Sequence, residues 1–225
     1  MGLRGMKLLK SAKTKLGNEI QLIQYGAAGV GSPLVIGVFH GDEPQGKYLI
    51  EEYLKISPLK SEISRRGILF IPCLNPDGMQ LGTRTNANGV DLNRNFPTKN
   101  WGEDTSAAGS NPSDYFGGKS AGSEIETQFV MEILEEYKPS SILTLHAPYK
   151  VVNYDGPARE LAEEISDIIG YPVEESIGYP TPGSFGTYAG IERQIPTITL
   201  ELDETCPVEN LVIQTFALID ILVSE

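Results

Sequence analysis

Two histidines are all that this chain of 225 residues contains, so any chemistry that needs imidazole rests on His40, His146 or both. His40 opens the turn His40-Gly41-Asp42-Glu43, which sets an imidazole and a carboxylate three residues apart, able to grip one cation from two sides. His146 would add a second nitrogen donor. Three protein ligands of nitrogen and oxygen type, with the fourth position left to water, describe a catalytic rather than a structural zinc site. Two plainer readings stand beside this one. Among 30 acidic residues an acid three places after a histidine arises by coincidence, and a lone His146 would suit a hydrogen-bonded core. What joins the candidates is placement: His40 follows the apolar run LVIGVF (34–39), His146 follows ILTL (142–145) and Glu201 follows TITL (197–200).

A second constellation runs from Arg84 to Phe96, through Asp91, Asn93, Arg94 and Asn95. Two guanidiniums and several amides gathered in one loop of an acidic protein read as an anion-recognition patch. A guanidinium offers a two-pronged donor fork that matches a carboxylate, and each charge-assisted bond contributes about 1.5 to 3 kcal/mol. The alternative is a solvated loop whose arginines pair with Asp77 or Asp91.

The apolar pattern supplies elements to position these groups. IQLIQY (20–25) predicts an edge strand and LVIGVF a buried one. Pro44 suits a first helical position, with Leu49, Tyr53 and Ile56 at helical spacing as far as Pro58. ILFIPCL (68–74) predicts a second buried strand, Pro72 pointing to a bulge or an edge. Almost fifty residues of turn chemistry follow, a length that in a compact domain marks function or disorder. At Ser123 a helix restarts, with a capping box to Glu126 and Ile125, Phe129 and Ile133 on one face. ILTL, a helix near 157–169 carrying Leu161, Ile165 and Ile168, TITLEL (197–202) and a helix opened by Pro207 complete the series. Strands alternating with helices predict one α/β domain over 1–225, with a mixed, largely parallel central sheet flanked by helices. In such sheets the ligand crevice lies outside the carboxyl ends of the strands, where His40, His146 and Glu201 would converge.

Thirty acidic against eighteen basic residues leave a formal charge of -12, so the long-range field repels polyanions. Nucleic acid and anionic membrane surfaces are excluded as first choices of partner. No run approaches the roughly 18 to 20 apolar residues of a membrane span. The first residues read as no secretory signal, and Cys73 and Cys206 form no Cys-x-x-Cys pair. One disulfide stays open, but the expectation is a cytoplasmic protein with reduced thiols. Nothing bears on the oligomeric state.

His-Gly-Asp-Glu, then NPDG (75–78), then the arginine loop, then Tyr115-x-Gly and Ser123-Glu-Ile-Glu-Thr, then strands ending in His146 and in Glu201, together resemble the zinc metallocarboxypeptidases. The likeness covers about 160 residues. HAPYKVVNYDGPA (146–158) and GYPTPGSFGTYAGIERQIPTITLEL (178–202) look like the bacterial branch of murein peptide amidases, which cleaves the γ-D-glutamyl to diaminopimelate amide of peptidoglycan-derived peptides. The resemblance implies one zinc held by His40, Glu43 and His146, with Glu201 as general base and Arg84 stabilising the oxyanion. It further implies that Asn93 and Arg94 clamp the free carboxylate of a small peptide and that Tyr179 contacts the substrate. Selectivity is expected around Thr187 and Tyr188.

Two departures qualify the likeness. Ile125 stands where the family usually has proline, and His146 is followed by Ala-Pro, so a digestive preference for C-terminal aromatic or basic residues is not carried over. The rival within hydrolases is a zinc deacylase of the aspartoacylase and succinylglutamate desuccinylase type, which shares an HGxE-like turn and an Asn-Arg pair. A zinc-dependent peptide-binding module without turnover is the rival from another class, weakened by the intact Glu201.

Overall fold

The computed structural model describes residues 5–56, 66–103, 111–175, 178–179 and 181–223. Eight strands form one mixed sheet: β1 Met6–Lys13, β2 Glu19–Tyr25, β3 Leu34–Gly37, β4 Ile68–Ile71, β5 Ile142–His146, β6 Val151–Asp155, β7 Val173–Glu174 and β8 Thr197–Glu201. Their order is β1-β2-β4-β3-β5-β8-β6-β7. The four middle strands, β4, β3, β5 and β8, run parallel, and their carboxyl ends lie on one side of the sheet. Antiparallel pairing joins β1 to β2, β2 to β4 and β6 to β8.

The parallel strands are buried on both faces, as their continuous apolar runs require. One face packs against α1 (Gln45–Ile56), α4 (Arg159–Ile169) and α5 (Val212–Ile221), through Leu49, Tyr53, Leu161, Ile165, Leu218 and Ile219. The other meets α3 (Ile125–Tyr137) through Phe129, Val130 and Ile133. Each such side chain contributes about 1.5 to 3 kcal/mol when taken from water. The α/β architecture with a mixed sheet between helices is therefore as predicted.

Several local expectations are corrected. IQLIQY is not an edge strand, because β1 pairs outside it. That strand escapes a reading by apolar runs, since Lys7, Lys10 and Lys13 interrupt it, as charges commonly do on a strand that must not pair further. ILFI is interior, and Pro72 ends the strand instead of bulging it. Ser123 makes no capping box: its hydroxyl donates to Glu124 Oε1 at 2.6 Å, and α3 begins from Glu124 without a side-chain cap. Ile125 and Ile56 are exposed, not on the buried faces. Pro58 lies outside the described residues. β6 and β7 were not foreseen, nor was the short helix α2, Pro76–Leu81, inside the turn-rich stretch. Among the described residues no helix is long and apolar enough to cross a membrane, and both cysteines are free.

Candidate active site

After β3 the chain turns through Val38, whose φ of 57° is a costly conformation for a β-branched residue. The neighbours hold it there: the backbone N–H groups of Leu74 and Asn75 donate to the carbonyls of Gly37 and Val38 at 3.0 and 2.9 Å. Gly41 then lies flat on Gly78, where a Cβ would overlap the Gly78 backbone. Asn75 organises this corner. Its Oδ1 caps α2 by accepting from Gly78 N at 2.9 Å, while its Nδ2 donates to the carbonyls of Phe39 and Arg84 at 3.2 and 3.3 Å. The NPDG motif thereby ties the His40 turn to the start of the arginine loop.

His40, Glu43 and His146 converge. Their donor atoms all lie within 4.8 Å of one another. The two Nδ1 atoms stand 3.3 Å apart, and Glu43 reaches His40 Nδ1 through Oε1 at 2.8 Å and His146 Nδ1 through Oε2 at 3.0 Å. A tetrahedral ion with ligands at about 2.0 to 2.2 Å separates them by about 3.3 to 3.6 Å, so the donor set is compatible with a single zinc. His40 Nε2 faces Asp91 Oδ1 at 3.2 Å, the outer-sphere contact that leaves Nδ1 free to coordinate. His146 stacks on Phe39, ring centroids 5.3 Å apart. Burial works against a charged His40, but Glu43 and Asp91 outweigh it and push its pKa up to about 9. Burial also opposes charge on Glu43 and Asp91, yet the facing cations hold both carboxyls well below the usual range. The pocket thus favours positive charge at its centre.

The arginines are arranged differently from each other. Arg84 does pair with Asp91, through Nε at 3.2 Å and Nη2 at 3.1 Å, but this uses one edge of the guanidinium and aims the rest inward, with Nη1 3.7 Å from Glu43. Asp77 pairs with neither arginine: it receives Leu16 N and Asn18 Nδ2 at 2.9 and 2.8 Å. Arg94 is 2% exposed, and its Nη1 donates to Asn93 O at 2.6 Å. Its Nε and Nη2 have no partner among the described residues, a costly state for a buried cation that an anionic ligand would relieve. The Tyr115 ring lies under both guanidiniums, at 5.0 and 5.7 Å. Asn93 Oδ1 accepts the Phe185 backbone N–H at 2.8 Å, so its amide nitrogen is left toward the cavity.

Glu201 ends β8 directly opposite His146 on β5. It is 6% exposed, and its Oε2 has no hydrogen-bond partner. Burial pushes its pKa up against the pull of His146. Two arginines of the chain that could neutralise it are engaged elsewhere, Arg193 on the Tyr188 ring and Arg84 by Asp91. A cavity of about 240 Å³ is lined by His40, Glu43, Arg84, Asn93, Arg94, Tyr179 and Glu201. Tyr179 is half-buried at its rim, where burial raises its phenol to about 12.

All eight residues singled out from the sequence are thus at one place. Tyr188 is buried against Phe96 with the Arg193 guanidinium over its ring, and Thr187 bonds to Ser184. Both belong to a π-helical turn, Gly186–Ile191, that backs the site without lining the cavity. From the sequence Asp91 is read only as a partner for an arginine, and Asn75 and Tyr115 only as members of motifs. Each sits inside a quoted motif, but only the folded chain shows one carboxylate serving both a histidine and an arginine.

Comparison with known proteins places this arrangement. The zinc carboxypeptidase family profile matches residues 6–204. Murein peptide amidase A of Escherichia coli K12 is 36% identical over 181 residues, 78% of this chain and 72% of that protein. The Vibrio campbellii protein of the same name is 35% identical over 176 residues, 75% of this chain and 68% of that one. The crystal structure of the murein-tripeptide amidase of Escherichia coli O157 superposes with a TM-score of 0.78 at 29% identity, covering 97% of this chain and 92% of that one. Carboxypeptidase A of Helicoverpa armigera, at 18% identity, shares the fold with a TM-score of 0.79 over 98% of this chain and 68% of its own.

Proposed function

As the chain belongs to the zinc carboxypeptidase family and is a zinc-dependent hydrolase, we propose that it cleaves the γ-D-glutamyl to diaminopimelate amide of small murein peptides. The observation that carries this reading is the convergence, at the ends of parallel strands, of two imidazole nitrogens and a carboxylate beside a buried carboxylate oxygen without a partner. The named relatives, which are murein peptide amidases, support the choice of substrate.

His40 Nδ1, Glu43 and His146 Nδ1 would hold the zinc. When bound, the ion supplies Lewis acidity, which polarises a carbonyl oxygen and makes water a stronger acid. Glu201 Oε2 takes the proton of the attacking water and later passes it to the nitrogen of the departing amine. Arg84, braced by Asp91, directs its free edge at the carbonyl oxygen as negative charge develops there. Arg94 and the Asn93 amide bind the carboxylate beside the scissile bond, satisfying the unpartnered Arg94 donors and restricting cleavage to a terminal unit. Tyr179 closes over the substrate from the rim.

In this reading residues 1–225 form one catalytic domain acting in the cytoplasm on recovered wall peptides, a compartment that suits two free thiols. Mass spectrometry after incubation with L-Ala-γ-D-Glu-diaminopimelate tests it, with released diaminopimelate and the dipeptide expected. Turnover of N-acyl amino acids in its place would establish the deacylase alternative, and tight binding of the peptide without turnover would establish a binding module.

A further inference from the structure

The wall of the catalytic cavity changes sign across the sheet. Arg84, Asn93 and Arg94 reach it from the loop that follows β4. The donor set of His40, Glu43 and His146 stands above β3 and β5. The wall is completed by Asp42, from the same turn as two of those donors, and by Tyr149 and Glu204, from the loops after β5 and β8. β4 and β8 are separated by β3 and β5, about 14 Å between backbones. The cations of the cavity thus come from the β4 side, and two further carboxylates come from the middle and from the β8 side.

Neither of these two carboxylates is committed, although each stands on a fixed turn. Asp42 is the one exposed residue of the His40 to Glu43 turn, which the contact of Gly41 with Gly78 holds in place. Asp203, directly before Glu204, anchors the other loop. Thr205 donates to its Oδ1 through N and Oγ1 at 2.9 and 2.6 Å, and Lys150 Nζ reaches its Oδ2 at 2.6 Å. That ion pair ties the loops after β5 and β8 together and takes up Lys150, whose neighbour Tyr149 lines the cavity with Glu204. Among the described residues Glu43, Asp91 and Asp203 all face cations, whereas Asp42 and Glu204 make no ion pair or side-chain hydrogen bond. No third donor among those residues joins them to make a metal site. The same cavity holds Arg94 Nε and Nη2 and Glu201 Oε2, buried and without partners, which a bound molecule would satisfy. With the carboxylate of the leaving residue on Asn93 and Arg94 and the scissile carbonyl at the donor set, the acyl fragment extends away from the clamp. Glu204 is three residues beyond Glu201, at most about 11 Å along the chain. An acyl fragment of two residues spans about 7 Å or more, so its amino terminus comes within reach of this end.

We propose that Asp42 and Glu204 recognise a free amino terminus on the acyl fragment, so that the enzyme selects peptides ending in an ammonium over the same peptides acylated at that nitrogen. This rests on the hydrolase reading above and adds a requirement at the end of the substrate that is not released. An ammonium offers three donors to the two carboxylates, and acylation removes both the charge and two of those donors.

The test compares kcat/KM for L-Ala-γ-D-Glu-diaminopimelate and for propionyl-γ-D-Glu-diaminopimelate, the same molecule without its terminal ammonium. It uses the zinc-loaded wild type, Asp42→Asn, Glu204→Gln and the double variant. The wild type is expected to favour the ammonium-bearing peptide by about five- to thirtyfold, mainly through KM. Each single variant should lose part of that preference and the double variant nearly all of it. The ratio is taken within one protein at measured zinc content, so lost metal or lost folded protein lowers both rates alike and does not move it. A double variant with the wild-type ratio overturns the assignment, as does a wild type indifferent to the two substrates. A wild type that cleaves neither peptide overturns the hydrolytic reading itself, and this inference with it.

Discussion

Glu201 combines burial, a raised pKa and one carboxylate oxygen without a partner, which are the properties a proton carrier needs and a structural carboxylate avoids. Glu201→Gln keeps the shape and removes the basicity. Its expected effect is a fall in turnover of about 10² to 10⁴ with zinc content unchanged by elemental analysis. Lost metal would mean that Glu201 belongs to the ligand set instead. The two histidines leave no imidazole for acid and base work, because both face Glu43 through Nδ1, and so the task rests on a carboxylate. Asp91 shows why single residues are a poor unit for this site. One carboxylate holds His40 through Oδ1, holds Arg84 through Oδ2 and accepts Asn93 N at 2.8 Å, so losing it would disturb three functions at once.

At the scale of elements, the start of α3 carries a buried acidic group away from the catalytic cavity. Glu126 is 1% exposed and shares Asn86 Nδ2 with Glu124, at 3.3 and 2.8 Å. Burial raises its carboxyl from 4.5 to about 7. A raised carboxyl binds its proton more tightly folded than unfolded, so the stability it contributes is present at acid pH and is lost as pH rises from about 4.5 to about 7. Glu126→Gln removes that loss. Thermal melts should find the variant more stable relative to wild type at pH 8 than at pH 5, by on the order of 1 to 3 kcal/mol; equal differences at the two pH values would refute it. Elements also mark how far the sequence could be read. The buried parallel strands were legible because apolar runs of β-branched residues declare themselves, and with them came His40, His146 and Glu201 at their ends. β1 and β6 were not, since Lys7, Lys10 and Lys13 break one and Asn153 and Asp155 break the other. The capping box failed for a related reason: Ser123 turns to Glu124 and Asn95, drawn into the polar network that supports the arginine loop.

For the molecule as a whole, a zinc bound to the folded state alone adds its binding free energy to stability. Chelation should lower Tm by on the order of 10 °C, and added zinc should restore it. His146→Ala should abolish the difference; a variant still sensitive to the chelator would place the ion elsewhere. The overall charge of -12 repels the carboxylate-rich peptides proposed as substrates. Attraction is therefore local, confined to the ion and to Arg84 and Arg94, and the acidic surface acts as a filter on approach. The strand order has a consequence for the protein's own birth. β8 inserts between β5 and β6, both of which precede it in the sequence. A nascent chain that has reached residue 195 holds His40, Glu43 and His146 but not Glu201, and presents two open strand edges awaiting one late arrival. The newly made enzyme is thus silent until β8 has been made, and during that interval those edges are where a chaperone, or a wrong neighbour, would take hold.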